Sequence, residues 1–148
     1  GDFAVYSFPK FFPIQIGGLL VCGPNRSIEE RDDDDFARYV RRVVSHHLPF
    51  VDRFSEARRR NWQSLADLFA RMGLMPRFTL EPHHTPGVFM FRTPQGTDLQ
   101  ALRAFVNRNG IQSSAFFGED AYFVPVHHRL KEQDMLYFAR VVETFFDR

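Results

Sequence analysis

The sequence predicts an α+β fold, and three patterns carry that prediction. Past residue 74, short strand-like runs and helix-period segments alternate in the order β-β-α-β-β-α, which suggests a small sheet with helices on one face. Before residue 74, two stretches carry apolar residues at helical spacing. At the start, two apolar strand-like runs flank a turn rich in proline and glycine. The expected organisation is an N-terminal strand pair over 1–23, linking helices over 24–73 and a small α+β domain over 74–148.

Residues Phe3 to Phe8 read as the first strand and Gly18 to Cys22 as the second, with Pro9, Pro13 and Gly17-Gly18 between them. A two-stranded hairpin alone is marginal in water. This one is highly apolar, so it is expected to belong to a larger sheet or to pair with another copy. From Gly23 to Asp35 the chain turns polar. The acidic run Asp32 to Asp35 could hold a cation, but it suits a helix N-terminus better, where negative charge complements the exposed amides. A helix is expected from Asp34 to His47, apolar at Phe36, Tyr39, Val40, Val43 and Val44, and ended by Pro49.

The longest helix is expected over Phe50 to Met72, stopped by Gly73. Arg58-Arg59-Arg60 within it could form a phosphate contact, but with no aromatic interleaving or second basic patch it reads better as a solvated face. Arg77 to Glu81 and Val88 to Thr93 read as strands joined by the turn His84-Thr85-Pro86-Gly87. Thr97 or Asp98 caps a helix with Leu99, Leu102, Phe105 and Val106 inward, stopped by Gly110. Ile111 to Phe117 and Tyr122 to Val126 are two further strands, and Lys131 to Phe146 is the last helix.

Composition excludes several function classes. With 44% apolar and 25% charged residues among 148, the chain is one folded domain or one domain with an appendage. A formal charge of +1 gives no electrostatic case for nucleic acid or an anionic membrane. The single cysteine, Cys22, rules out an intrachain disulfide and reads as a small buried hydrophobe. No apolar run reaches membrane-spanning length and no basic signal start is present. The expected location is cytoplasmic. The start at Gly1-Asp2, without methionine, reads as a processed or cut edge.

Two kinds of residue carry candidate chemistry. The six histidines occur as adjacent pairs, His46-His47, His83-His84 and His127-His128. Neighbouring side chains diverge, and no H-E-x-x-H or paired-cysteine spacing helps, so no metal site is expected. The chain has two lysines, Lys10 and Lys131. Lys131 lies in a polar, helix-like segment. Lys10 lies in the turn Ser7-Phe8-Pro9-Lys10-Phe11-Phe12-Pro13. Apolar walls would dehydrate its charged form and favour the neutral amine, a nucleophile toward aldehydes and ketones. A plain surface lysine on a hairpin turn is the competing reading.

The strand end with Ser7, then Lys10, then Gly17-Gly18-Leu19-Leu20 opening an antiparallel strand, resembles the lysine region of fold-type I pyridoxal 5′-phosphate (PLP) enzymes. It is most similar to aminotransferases of the DegT/StrS type, many of which act on keto sugars attached to nucleotides. Arg58 to Asn61 resembles that family's linking helix. Arg108-Asn109-Gly110-Ile111 and Val124-Pro125-Val126-His127 resemble segments of its small C-terminal domain, the latter continuing as Arg129-Leu130-Lys131-Glu132. The resemblance spans the chain as the C-terminal portion of a longer enzyme. It implies transamination of a keto sugar or related keto substrate through a Schiff base on Lys10, with PLP as cofactor and Ser7 near the cofactor phosphate or holding the turn. It implies substrate contacts from Arg92, His127, His128 and Arg129.

The family's phosphate-binding turn, ring-stacking residue and pyridine-pairing aspartate precede the lysine, and nine residues precede Lys10 here. The implied partners are therefore a large domain N-terminal to this sequence, a second copy of the chain in a homo-oligomer (a dimer), and a small-molecule substrate. Neither nucleic acid nor membrane is expected as a partner, and the 148 residues alone are expected to be inactive. The alternative is a non-catalytic binding or interaction module that keeps the small-domain fold. An arginine-mediated nucleic-acid binder is a third, weaker option.

Overall fold

The computed structural model describes residues 1–29 and 34–147. Its elements are β1 (Phe3–Ser7), β2 (Gly18–Cys22), α1 (Asp35–His47), α2 (Val51–Arg71), β3 (Val88–Arg92), α3 (Leu99–Arg108), β4 (Ser114–Phe116), β5 (Ala121–Pro125) and α4 (Glu132–Phe146). They form a mixed α and β structure with two small antiparallel sheets, β1-β2 and β3-β5-β4. Two compact units result, Gly1–Asp52 and Arg53–Arg148. The boundary falls near the start of α2, whose Leu65, Ala66 and Phe69 lie in the core of the C-terminal unit.

In that unit, strand alternation puts Phe89 and Phe91 of β3, Tyr122 and Val124 of β5, and Ala115 of β4 on one buried face. Register pairs Phe89 with Val124, and Phe91 and Ala115 with Tyr122, so these side chains form one continuous layer. All three helices supply side chains to the same core, Phe69 from α2, Leu102 and Val106 from α3, and Met135 and Val142 from α4. Phe69 meets Phe89 and Phe91 with ring centroids at 5.1 and 4.7 Å. Edge-on contacts of this kind add about 0.5–1.5 kcal/mol beyond burial.

Helix ends follow local chemistry. Asp34 accepts from Ala37 N at the start of α1, and Asp98 accepts from Gln100 N and Ala101 N at the start of α3. Of the two expected caps for α3, Asp98 is the one that forms. After α2, the N–H of Leu74 donates to Phe69 O and that of Gly73 to Ala70 O. After α3, Ile111 N reaches Val106 O and Gly110 N reaches Asn107 O. Both are double-bonded C-terminal locks that place glycine at positive φ, 75° for Gly73 and 77° for Gly110.

Two expected strands differ from what forms. Residues 77–81 make no strand. The segment touches the β3 edge through a Pro76–Phe91 bridge, with Arg77 N donating to Met90 O and Arg92 N to Met75 O. Pro76 has no N–H to donate and Pro82 closes the stretch, so no ladder propagates. The strand expected over 111–117 shortens to 114–116 because Ser113 is held by side chains. Its N–H donates to Asn107 Oδ1, and its hydroxyl lies 2.6 Å from that of Tyr122.

The N-terminal unit is built differently. Ile14 is the buried apolar residue among its described positions, while Phe3, Val5, Tyr6, Leu19, Leu20 and Val21 of the hairpin are exposed. Register places Val5 and Leu20 on one face and Tyr6, Leu19 and Val21 between them on the other. Both faces are therefore apolar. Cys22, expected to be buried, is half-buried. Of the acidic run, Asp32 and Asp33 lie outside the described residues.

Two outcomes follow from this contrast. Phe69→Ala should lower the unfolding free energy by about 3–5 kcal/mol in urea titrations, and a loss under about 1 kcal/mol would refute the core assignment. Residues 51–148 expressed alone should melt cooperatively by circular dichroism while residues 1–50 should not; a cooperative melt of the short piece would refute the reading of the hairpin unit.

Candidate functional site

The lysine turn comes first. Phe8–Lys10 form one 3₁₀ turn with proline inside its first positions, where a fixed φ costs nothing. Phe8 N donates to Gly17 O, extending the hairpin ladder by one bond, and both Phe11 N and Phe12 N donate to Phe8 O. Phe12 meets Phe8 and Phe11 edge-on, with centroids at 5.7 and 5.4 Å. Lys10 is thus presented on a stiff turn. It is exposed, however, as is Ser7, whose hydroxyl does not cap the turn. The expected exclusion of water from the lysine is not provided by these residues, since Phe11 and Phe12 are only half-buried and Pro9 is exposed.

The two glycines after the turn have packing reasons. Gly17 has φ +92°, and a Cβ there would stand 2.9 Å from Val40 Cγ1 of α1; a Cβ on Gly18 would stand 2.7 Å from Tyr6 O. Any larger residue would push α1 off the turn or break the ladder. Beside this contact lies a cleft of about 460 Å³, lined by Phe8, Leu19, Phe36, Val40 and Val44, with Asp34 and Arg41 among its polar members. Lys10 and Ser7 do not line it. Arg41 and Asp34 have the chemistry that a phosphate and a pyridine nitrogen need, but Lys10 is not on their wall, so these residues on their own assemble no PLP site.

The second candidate is the turn after β5. Asn61 of α2 donates its side-chain amide to Val126 O, His127 O and Leu130 O at 3.5, 3.1 and 3.3 Å. Phe54 of the same helix stacks on the His128 ring, with centroids 3.9 Å apart and planes 13° from parallel. Arg58, 5% exposed, donates from Nη1 to Pro86 O. Arg129 N donates to His127 Nδ1 at 3.3 Å. That bond makes Nδ1 an acceptor and leaves Nε2 to carry the proton of the neutral ring. Burial lowers the His127 pKa first, and the positive charges of Arg58 and Arg129 lower it further, against a smaller opposing pull from Asp134. Burial likewise pushes the Arg58 guanidinium below its usual value.

Sequence reasoning placed Arg58 on a solvated face, and the structure corrects this. The signal was available: Phe54, Arg58, Asn61 and Leu65 follow helical spacing, so Arg58 and Asn61 share the apolar stripe. Arg59 is half-buried and Arg60 exposed, so the triple arginine is not one basic patch.

Arg92 does not join the histidine turn. It pairs with Ala121 at the start of β5, whereas His127 follows the strand's far end. Six residues of extended chain separate the two levels, roughly 20 Å. Arg92 is exposed near a different feature, the ion pair of Arg77 Nε with Glu119 Oε2 at 2.7 Å. That pair, and more weakly Arg92, holds the Glu119 carboxyl below its usual value. Lys131 is exposed before α4, its N–H donating to Asp134 Oδ2. Among the described residues no cluster of His, Cys, Asp and Glu could hold a metal ion, and no helix is long and apolar enough to cross a membrane.

The chain matches no protein-family model and no curated protein.

A pH dependence follows from His127. Its folded pKa is lowered, so between the folded value and the unfolded value near 6.5 the unfolded chain binds more protons. Stability should therefore fall as pH drops below about 6.5 and level off once the folded ring is protonated. Partial exposure keeps this slope shallow. His127→Gln should flatten it in urea midpoints measured from about pH 7.5 to 5; identical slopes in the two proteins would refute the assignment.

Proposed function

We propose that this chain is the C-terminal portion of a PLP-dependent aminotransferase of the DegT/StrS type. In this reading it brings Lys10 to a cofactor pocket whose other walls lie on sequence outside these 148 residues. The observation that carries it is the hairpin. Its strands are apolar on both faces and exposed on both, the pattern of strands buried within a large sheet covered on each side, and a rigid turn between them presents the lysine. A C-terminal unit with a three-stranded antiparallel sheet follows, in keeping with the small domain of such an enzyme.

Within this proposal Lys10 supplies the amine, and a covering large domain supplies the water exclusion that Lys10 lacks here. The substrate is a keto sugar or related keto compound met by the His127–Arg129 turn, the location cytoplasmic, and the assembly a homo-oligomer that helps cover the hairpin. The exposure of Lys10 favours a second reading, a non-catalytic interaction module.

The two readings separate in one experiment. The 148 residues are expressed together with their upstream coding sequence, reduced with borohydride in the presence of PLP, and mapped by peptide mass. The expected result is a cofactor adduct on Lys10 and none on Lys131, with Lys10→Ala lowering transamination by about 10²–10⁴-fold or more. An absent adduct, or equal labelling of both lysines, would favour the module.

A further inference from the structure

The turn over residues 126–130 has an anchoring problem that local structure does not solve. It leaves β5 after Pro125 and must reach α4 at Glu132. Within it the N–H of Leu130 donates to His127 O. Val126 and Leu130 lie outside the strand ladders, and buried carbonyls left without donors cost about 1–3 kcal/mol each. Asn61, 8% exposed, meets this need from the facing helix, reaching three carbonyls with one amide group. An amide nitrogen carries two hydrogens, so three acceptors share them, and Val126 O at 3.5 Å is the weakest partner. Three oxygens facing the group also require its nitrogen, not its oxygen, on that side.

We infer that Asn61 is a positioning residue: its amide fixes the 126–130 turn so that His127 presents Nε2–H, and His128 lies flat on Phe54, toward an acceptor oxygen of the substrate. The geometry supports each part. Phe54, Arg58 and Asn61 stand at i, i+4 and i+7 on α2, so one rigid helix face addresses both histidines and the loop before β3. The bond from Arg129 N to His127 Nδ1 exists only while the backbone around residues 127–129 keeps this shape. Burial, and after it the positive charges of Arg58 and Arg129, favour the neutral ring that donates from one nitrogen, against a smaller opposing pull from Asp134. The acceptor would be the keto or hydroxyl oxygen of the substrate, a role that rests on the aminotransferase reading, whereas the anchoring of the turn does not.

The test uses Asn61→Leu, which keeps the forked shape and removes both amide hydrogens, and Asn61→Ser, a smaller polar change used if the Leu variant does not fold. Histidine ring signals are followed by NMR through a pH titration of the 148-residue chain. The expected result is that His127 titrates closer to an ordinary histidine and His128 loses the ring-current shift from Phe54, while core methyl signals of Leu102 and Val142 stay in place. A folded Asn61 variant in which both histidines titrate and resonate as in the parent would overturn the positioning role. In the longer enzyme the same variant should raise KM for the keto substrate roughly three- to tenfold, the worth of one neutral hydrogen bond, with kcat and the Lys10 adduct kept. A displaced turn with unchanged KM would overturn the substrate contact alone and leave the anchoring intact.

Discussion

One face of helix α2 ties the core of the C-terminal unit to the turn that carries its histidines. From Phe54 through Arg58, Asn61 and Leu65 to Phe69, side chains three or four residues apart lie along a single stripe. The lower part of that stripe is hydrophobic and packs on Phe89 and Phe91. The upper part is polar and holds backbone carbonyls at Pro86, Val126, His127 and Leu130. Because the helix is rigid, core and turn are tied to one register. A shift of α2 along its axis would spoil aromatic contacts worth up to a few kcal/mol and would leave buried carbonyls without donors.

The polar end of the stripe is the costly end. Burying an arginine is unfavourable unless its donors are met, and the lowered pKa of Arg58 reflects that cost. A core needing only stability would have used leucine at both 58 and 61. Asparagine at 61 instead holds the loop that carries two histidines and an arginine, while arginine at 58 holds the Pro86 carbonyl before β3. The arrangement fits a site whose side chains must be aimed rather than merely present.

The N-terminal unit inverts this balance. Its hairpin exposes apolar side chains on both faces, and a proline-containing 3₁₀ turn joins the strand end to Lys10. Gly17 and Gly18 are packed against Val40 and the Tyr6 carbonyl too closely to admit a side chain. In the proposed aminotransferase a large domain would cover these apolar faces, and Lys10 would gain its chemical role only under that cover.

Much of the fold was legible in the residues. The helix beginning beyond the acidic run, the long helix closed by Gly73, the Asp98 cap and the strand Gly18–Cys22 follow from caps, stops and periodicity, which act within a few residues of one another. Nonlocal features were not legible. Residues 77–81 look like a strand until Pro76 meets the β3 edge, and Ser113 leaves its ladder because Tyr122 and Asn107 are near in space. Arg92 and His127 resemble partners in the chain's order, yet lie at opposite ends of β5 because the register sets them there. The sequence by itself determined where the four long helices lie, that no intrachain disulfide forms, and that a lysine stands in a proline-bound turn. Only the tertiary structure decided that this lysine is exposed and that Arg58 is buried. Burial and hydrogen-bond partnership depend on residues dozens of positions away, and local propensity carries no record of them.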